Sequence, residues 1–547
     1  MPKSPSSQAA WLAALWFGAV VVGLLSRPLL PIDETRYLTV AWEMHFSGNW
    51  LVPHLNGEAY SHKPPLLFWL INLLWMVTGV SEFAGRAVAP LFGLGALLAT
   101  GWLARLLWPE SPRVAWLAPL IVMGSGFWLL FGTLTYFDIM MAFWSVLGAC
   151  GLVLARRGRW LIGFALFGIS IGLGVLSKGP VILLYLLTPA LLAPVWARGA
   201  DWGAPVLWLR WYAGVVGGVV LGAAIALAWA LPAAKAGGEV FGNAILWGQT
   251  AGRVTESFAH KRPFWWYLPV LPGILFPWVI WPPFWRGIIA LRQGVAPALR
   301  LPLVWFAVAV LVFSTVSAKQ PHYLLPLYPA FALFLARVLD TQADEIRHSD
   351  PWLPSIFMLL LGVLICGAPA ILWLEPKWLA ALGLPDFSLL TYEAIGATLI
   401  AAAIACLAVP LKRRPERLVP LMLLLPFAAF LALHLLGFPM IRPLYELRPT
   451  AAALKVAEQT GHEIAFAGDY HGEYHFLGRL EKPLQEIEPG TVVAWAMAHP
   501  EGVIVTRHRE LPTRAADPVH QQRFRGRITT IWAARDILKD PGAFAVR

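Results

Sequence analysis

The sequence predicts an all-α polytopic membrane protein with about thirteen transmembrane helices, followed by a small C-terminal extracytoplasmic α/β domain. Three observations carry that expectation. Only 13% of the 547 residues are charged and 58% are hydrophobic, against roughly 25% charged in an ordinary soluble domain. Fourteen apolar stretches, most long enough to cross a hydrocarbon layer of roughly 30 Å, are separated by short charged or Pro/Gly-rich breaks. From about residue 440 the chain turns polar and mixes one helical pattern with short β-like runs.

The apolar run at 64–80 is short and opens with Pro64 and Pro65, so it need not span. The excess of basic residues in cytoplasmic loops decides the matter. If 64–80 stays outside, Arg105 and Arg113, the Arg156/Arg157/Arg159 group, Arg198 and Arg210, the Arg286/Arg292/Arg300 group, Arg337 and Arg347, and Lys412 to Arg417 all fall on one side. The expected spans are 9–26, 86–104, 114–132, 138–155, 160–176, 180–196, 211–232, 267–285, 301–317, 323–338, 352–373, 389–410 and 418–438. Residues 1–439 thus form a transmembrane domain whose first outside loop, 27–85, includes a juxtamembrane amphipathic helix. Residues 440–547 form the extracytoplasmic domain, with a helix expected at 449–459 and strands at 464–467, 491–496, 502–506 and 528–533.

The net charge of +11 reports topology, because many of the arginines sit in short loops between spans, and no nucleic-acid partner is expected. Cys150, Cys366 and Cys406 lie inside apolar stretches without metal-type spacing, which argues against a disulfide framework or a cysteine zinc site. No small-residue cleavage site follows the first apolar run, so that run is expected to be retained as a helix.

Charge at membrane depth costs on the order of 2.5–3.5 kcal/mol even on the lenient insertion scale, so polar groups near helix ends form a short list. They collect on the outside face: Asp33, Glu34 and Arg36 after the first helix, His62 and Lys63 before the double proline, Asp138 at the start of the fourth span, and Lys178 after the fifth. Arg253, His260, Lys261 and Arg262 lie in the 233–266 loop, and Lys319, His322 and Tyr323 open the tenth span. Acidic groups surrounded by cations suit an anionic lipid-linked phosphate whose departure creates charge. A carboxylate such as Asp33 can then orient or deprotonate an acceptor. The plainer alternative is that these are interfacial anchors and loop charges.

Ile32-Asp33-Glu34-Thr35-Arg36-Tyr37, followed by Gly48-Asn49-Trp50-Leu51-Val52-Pro53, Leu55-Asn56-Gly57 and Lys63-Pro64-Pro65, resembles the ArnT-like lipid A aminoarabinose transferases and the wider protein O-mannosyltransferase-like superfamily. The agreement continues through Glu82-Phe83-Ala84-Gly85-Arg86, Tyr136-Phe137-Asp138, Gly174 to Pro180, His260 to Tyr267 and Lys319 to Pro329. The resemblance implies a GT-C fold, a site facing the periplasm of a bacterial inner membrane, and an undecaprenyl-phosphate-linked sugar donor. By position, Asp33 and Asp138 match the family's two active-site acids. Arg36 and Lys63 match cations near the carrier phosphate, with Arg253 and Lys319 as further phosphate-binding candidates, and Tyr323 matches the tyrosine beside that phosphate. The resemblance also implies a metal-assisted or metal-organised site, with His260 at the second metal position and His62 where the family commonly has glutamate. A His–His pair suits zinc or another transition metal, but two ligands are an incomplete set, and His62 could instead hydrogen-bond a phosphate.

The function expected is inverting sugar transfer to a cell-envelope acceptor, most plausibly lipid A or another glycolipid, by a monomer. Protein O-glycosylation within the same superfamily is the alternative. A transporter or flippase fits less well, because such proteins place their binding groups near the midplane between repeated halves, and no such symmetry is visible here. The sequence does not distinguish a phosphate acceptor, which Asp33 would position, from a hydroxyl acceptor, which it would deprotonate. His471-Gly472-Glu473-Tyr474-His475 reads as a strand-and-turn surface rather than a metal motif, and Ser177-Lys178-Gly179-Pro180 lacks the glycine spacing of a P-loop.

Overall fold

Apolar length and proline placement together account for how the chain crosses the membrane in a computed structural model, which describes residues 4–199, 202, 206–252, 262–374, 389–409, 414–509, 517–541 and 544. Among the described residues ten helices are long and apolar enough to span, beginning with Pro5–Ser26, Glu82–Leu107, Phe137–Arg156 and Trp160–Lys178. The protein is therefore a multi-pass membrane protein. The pair Pro112–Met123 and Gly126–Gly132, bent by 69°, makes an eleventh where the two are counted as one broken span rather than a re-entrant loop. The two other expected crossings are broken. The 180–196 segment divides into Ile182–Leu191, with Pro189 inside it, and Ala193–Trp196. The 267–285 segment divides into Tyr267–Ile274, a 3-10 turn at Trp278–Ile280 and Pro282–Ala290. Each proline removes a backbone donor and clashes with the preceding turn, so proline-rich apolar runs shorten into pieces.

The loop between Pro5–Ser26 and Glu82–Leu107 contains two helices. Asp33–Ser47 carries the acidic motif at its amino end and closes at Gly48, whose φ of 70° supplies the left-handed cap. Leu66–Thr78 has 13 residues, about 20 Å at 1.5 Å per residue, too short to span, as its double proline led one to expect. It leaves Leu73, Met76 and Val77 exposed on its outer side while burying Leu67, Phe68 and Ile71, the two-faced arrangement of an interfacial helix. Between the helices, strands β1 (His54–Leu55) and β2 (Glu58–Ala59) pair antiparallel around Asn56-Gly57. Both turn residues have positive φ, the conformation an Asn-Gly hairpin turn requires.

The C-terminal segment forms a five-stranded sheet in the order β4 (Gln485–Ile487), β3 (Ile464–Ala467), β5 (Val503–His508), β7 (Arg527–Ala533), β6 (His520–Phe524). β3 is parallel to both β4 and β5, and the other pairs are antiparallel. The expected helix appears as Arg448–Gln459. The strand expected at 491–496 is instead the helix Val492–Ala498. Val492, Trp495 and Ala496 are its buried residues, a spacing of three and four that fits one face of a helix and no face of a strand. Nor is 471–475 a surface: Glu473, Tyr474 and His475 are buried, and the His475 ring is engaged at both nitrogens, by the Tyr470 hydroxyl at 2.7 Å and the Lys482 carbonyl at 3.2 Å.

This sheet unit is docked on the first loop. The Glu43 carboxylate accepts the backbone N–H groups of Asn56 and Gly57, and the Asn56 side chain then exchanges two hydrogen bonds with the Leu484 backbone, at 2.8 and 2.9 Å. The Thr39 hydroxyl donates to the Gly472 carbonyl at 2.7 Å, the Trp42 indole donates to the Leu480 carbonyl at 2.8 Å, and Trp75 stacks on Phe476 at 5.4 Å.

The amino end of the Asp33–Ser47 helix is fixed by Glu34, whose side chain has no exposed surface. Its carboxylate pairs with Arg27, lies 4.0 Å from Arg86 and accepts backbone N–H groups from Leu30 at 3.1 Å and Thr135 at 2.9 Å. Burial alone would raise the Glu34 pKa, but the two guanidiniums outweigh it and hold the carboxyl at about 2, below its ordinary 4.5. A folded pKa below the unfolded one stabilises the protein fully above about pH 4.5, and that contribution falls away as pH drops toward 2. Glu34→Gln leaves buried Arg27 without its counter-charge and Arg86 with Glu82 alone, and the variant should lose about 3–5 kcal/mol of stability at neutral pH. Thermal unfolding in detergent checks this: the Gln variant should melt well below wild type at pH 7, with the gap narrowing in acid. Equal melting at neutral pH would contradict it.

Candidate active site

Helix ends deliver the polar short list to one place. Asp33 is the first residue of its helix, Asp138 the second residue of Phe137–Arg156, and Lys178 the last residue of Trp160–Lys178. Both carboxylates thus sit at the positive end of a helix dipole. His322 and Tyr323 lie in the 3-10 turn Pro321–Leu327.

Asp33 accepts three donors: Arg36 at 3.0 Å, Tyr37 at 3.2 Å and Tyr136 at 3.1 Å. Burial first, and then the Asp33 carboxylate, push the Tyr136 phenol far above its ordinary range, so it stays protonated as a donor. The Tyr136 ring meets the His322 ring edge-on at 5.5 Å. His322 Nε2 is 3.9 Å from an Asp138 oxygen, and the other Asp138 oxygen pairs with Lys178 at 2.6 Å. The Lys178 ammonium lies 4.6 Å from the centre of the Tyr323 ring, within range of a cation–π contact. Lys63 is 5.9 Å from the Phe137 ring, beside Asp138 in sequence. One connected file of polar groups therefore runs from Asp33 through Tyr136, His322 and Asp138 to Lys178 and Tyr323.

The two acids differ in access. The Asp33 side chain is 39% exposed and the Asp138 side chain 3%, so Asp33 can touch a substrate while Asp138 faces its own lysine. Lys319 also differs from its expected place against a phosphate: it is buried, and its ammonium donates to the carbonyls of Val316 at 2.5 Å and Arg262 at 3.0 Å, tying two outside segments together. His62 packs its ring 5.4 Å from Tyr60. Arg253 and His260 lie outside the described residues. Among the described residues no three His, Cys, Asp or Glu side chains gather as a metal set requires; His260, half of the expected pair, lies outside them, and no step is derived through a metal. Tyr37 and Tyr136 were not singled out from the sequence, although each lies within or beside a motif that was.

The family profile described as Dolichyl-phosphate-mannose-protein mannosyltransferase matches residues 9–236. The Undecaprenyl phosphate-alpha-4-amino-4-deoxy-L-arabinose arabinosyl transferase of Enterobacter sp. (strain 638) is 31% identical over 354 residues, covering 62% of this chain and 61% of the relative. The protein of the same name from Edwardsiella ictaluri (strain 93-146) is 32% identical over 388 residues, covering 68% and 66%. The crystal structure of ArnT from Cupriavidus metallidurans bound to undecaprenyl phosphate superposes with a TM-score of 0.73 at 18% identity, covering 96% of this chain and 98% of that one. The chain belongs to the ArnT-like GT-C superfamily. It spans 61% to 66% of the length of these two curated relatives, and the ArnT-like fold extends over nearly the whole chain.

In this ArnT-like site the Asp138–Lys178 pair is largely desolvated, so its halves depend on each other. Lys178→Met strands a buried carboxylate and should cost about 3–5 kcal/mol. Adding Asp138→Asn to it should restore much of the loss, giving a coupling of about 0.5–3 kcal/mol in a double-mutant cycle of thermal unfolding. Strict additivity would mean that the pair contributes no mutual interaction.

Proposed function

We propose that the protein is an inverting glycosyltransferase that moves a sugar from an undecaprenyl-phosphate carrier to a cell-envelope acceptor, a lipid A-type glycolipid, at the periplasmic face of a bacterial inner membrane. The observation that carries the reading is the division of labour in the polar file: one half-open carboxylate, Asp33, stands at one end, and lysine and tyrosine side chains stand at the other. The names of the relatives, which specify an undecaprenyl phosphate-linked aminosugar, support the same donor. The glycolipid acceptor rests on the motif resemblance.

In the reaction the acceptor oxygen attacks the anomeric carbon of the donor sugar as the bond from that carbon to the carrier phosphate breaks. The electron pair leaves with the phosphate, and a single displacement inverts the anomeric centre. Lys63, Lys178 and the Tyr323 hydroxyl receive the growing phosphate charge through charge-assisted hydrogen bonds, with Arg36 beside Asp33 as a further cation. Asp33 takes the proton of a hydroxyl acceptor, or orients an acceptor that is already an anionic phosphate. Asp138 acts as a positioning residue, holding Lys178 and His322. Lys319 shapes the outside turn that presents Tyr323.

Purified protein supplied with undecaprenyl-phosphate-linked aminosugar and a lipid A acceptor tests this through release of undecaprenyl phosphate. Asp33→Asn, which keeps the volume but cannot take a proton, should lower turnover about 10²–10⁴-fold. Lys63→Ala should weaken carrier-lipid binding by roughly ten- to a hundred-fold, the equivalent of about 1.5–3 kcal/mol. Wild-type turnover by a folded, monodisperse Asp33→Asn protein would overturn the assignment.

A further inference from the structure

The C-terminal sheet builds a pocket that the transfer step above leaves unused. β3 lies between two parallel neighbours, β4 and β5. The helix Arg448–Gln459 packs Ala451 and Leu454 with Ile464 and Phe466 on one face of the sheet, and the helix Val492–Ala498 packs Trp495 and Ala496 with Ala465 and Ile504 on the other. The crevice at the carboxyl ends of parallel strands is the place where sheets of this kind take ligands. Here that crevice is a pocket of about 500 Å³ at the carboxyl ends of β3 and β5, within the size range of small-molecule sites.

Its lining carries three cations, Arg507, Arg525 and Arg527, against two carboxylates, Asp469 and Glu473, the second of which is paired with Arg507. Arg507 is held flat by the rings of Phe466 at 4.9 Å and Phe524 at 5.2 Å, and is aimed by Glu473 at 3.1 Å and the Tyr474 hydroxyl at 3.2 Å; its Nε is buried and without a partner. Arg525 and Arg527 are exposed, and among the described residues neither makes an ion pair. Arg525 also occupies a backbone position that disfavours it. It and Gly526 form the two-residue turn between β6 and β7 with φ of 49° and 75°, where asparagine and glycine are the ordinary choices. The Arg525 backbone N–H, bonded to the Leu444 carbonyl at 3.1 Å, pins it there. A strained residue retained at a pocket rim points to a ligand. The pocket wall also includes Ile32, the residue before Asp33.

We propose that this pocket is a second binding site, which takes a sugar bearing a phosphate or carboxylate, with the anionic group on the three arginines and the sugar over the apolar floor of Phe466 and Phe524. Its role in catalysis rests on the transferase reading above, since a saccharide seated against Ile32 is delivered next to Asp33. Binding itself does not require that reading.

The test uses the full chain in detergent, with isothermal titration against N-acetylglucosamine 1-phosphate, glucuronate, neutral N-acetylglucosamine and inorganic phosphate. The two anionic sugars should bind and the neutral sugar should not. Arg525→Ala/Arg527→Ala, one on the exposed turn and one at the exposed start of β7, should weaken anionic-sugar binding by about tenfold or more, while Arg507→Lys should weaken it less than Arg507→Ala. Asp33→Asn should bind these sugars as wild type does, even where it no longer transfers. A failed transferase reading with intact binding would therefore be seen separately from a failed pocket. Equal binding of inorganic phosphate and the sugar phosphate would overturn the saccharide assignment, and unchanged affinity in the double arginine variant would overturn the site.

Discussion

A single buried carboxylate holds the site-bearing face of this protein together. Glu34 draws the end of the first helix through Arg27, the start of the Glu82–Leu107 helix through Arg86, and the segment before Phe137 through the Thr135 N–H. Arg27 adds a bond to the Thr133 carbonyl at 3.1 Å, and Arg86 one to the Leu24 carbonyl at 3.1 Å. Two of these ties lead directly to site residues: Asp33 is next to Glu34, and Tyr136 and Asp138 follow Thr135. A buried charge group of this kind costs desolvation energy that only complete pairing offsets. It therefore tolerates one arrangement of its elements, and that arrangement fixes the distance between Asp33 and Tyr136.

The second constraint acts from the other side of the Asp33–Ser47 helix. Glu43, two turns beyond the acidic motif, organises the Asn56-Gly57 turn, and Asn56 grips the Leu484 backbone of the C-terminal unit. Glu82, which pairs with Arg86 at 2.7 Å, also pairs with Arg448 at the start of the first helix of that unit. The Asp33–Ser47 helix is thus clamped between a transmembrane bundle and a docked sheet through carboxylates other than Asp33. Within the clamp, Asp33 is half-open and Asp138 enclosed, a difference that residue type alone does not announce.

Much of this was legible in the sequence because membranes enforce simple rules. Length, hydropathy and the arginine clusters identified the regular spans and kept 64–80 out of the bilayer, and the observed helix Leu66–Thr78 has the length that exclusion requires. The motif residues Asp33, Asp138, Lys178, His322 and Tyr323 do converge. What stayed hidden was decided by tertiary contacts. The helix Val492–Ala498 looked like a strand because its run is short and apolar, where helix and strand patterns overlap. β4 and β6, with sequences Gln485-Glu486-Ile487 and His520-Gln521-Gln522-Arg523-Phe524, are polar edge strands with no apolar alternation to announce them. The inward turn of Lys319 onto the Arg262 carbonyl, and the pairing of buried Glu473 with Arg507, depend on partners distant in sequence that no local pattern encodes.

The central claim is that Asp33 serves sugar transfer to an envelope glycolipid. The most direct measurement is mass spectrometry of envelope lipids from three strains of one host: lacking the gene, carrying the wild-type gene, and carrying Asp33→Asn at matched membrane abundance. The account predicts one glycolipid with an added mass the size of an aminopentose or hexose in the wild-type strain only. Identical glycolipids in all three strains, or the same added mass in the Asp33→Asn strain, would contradict it.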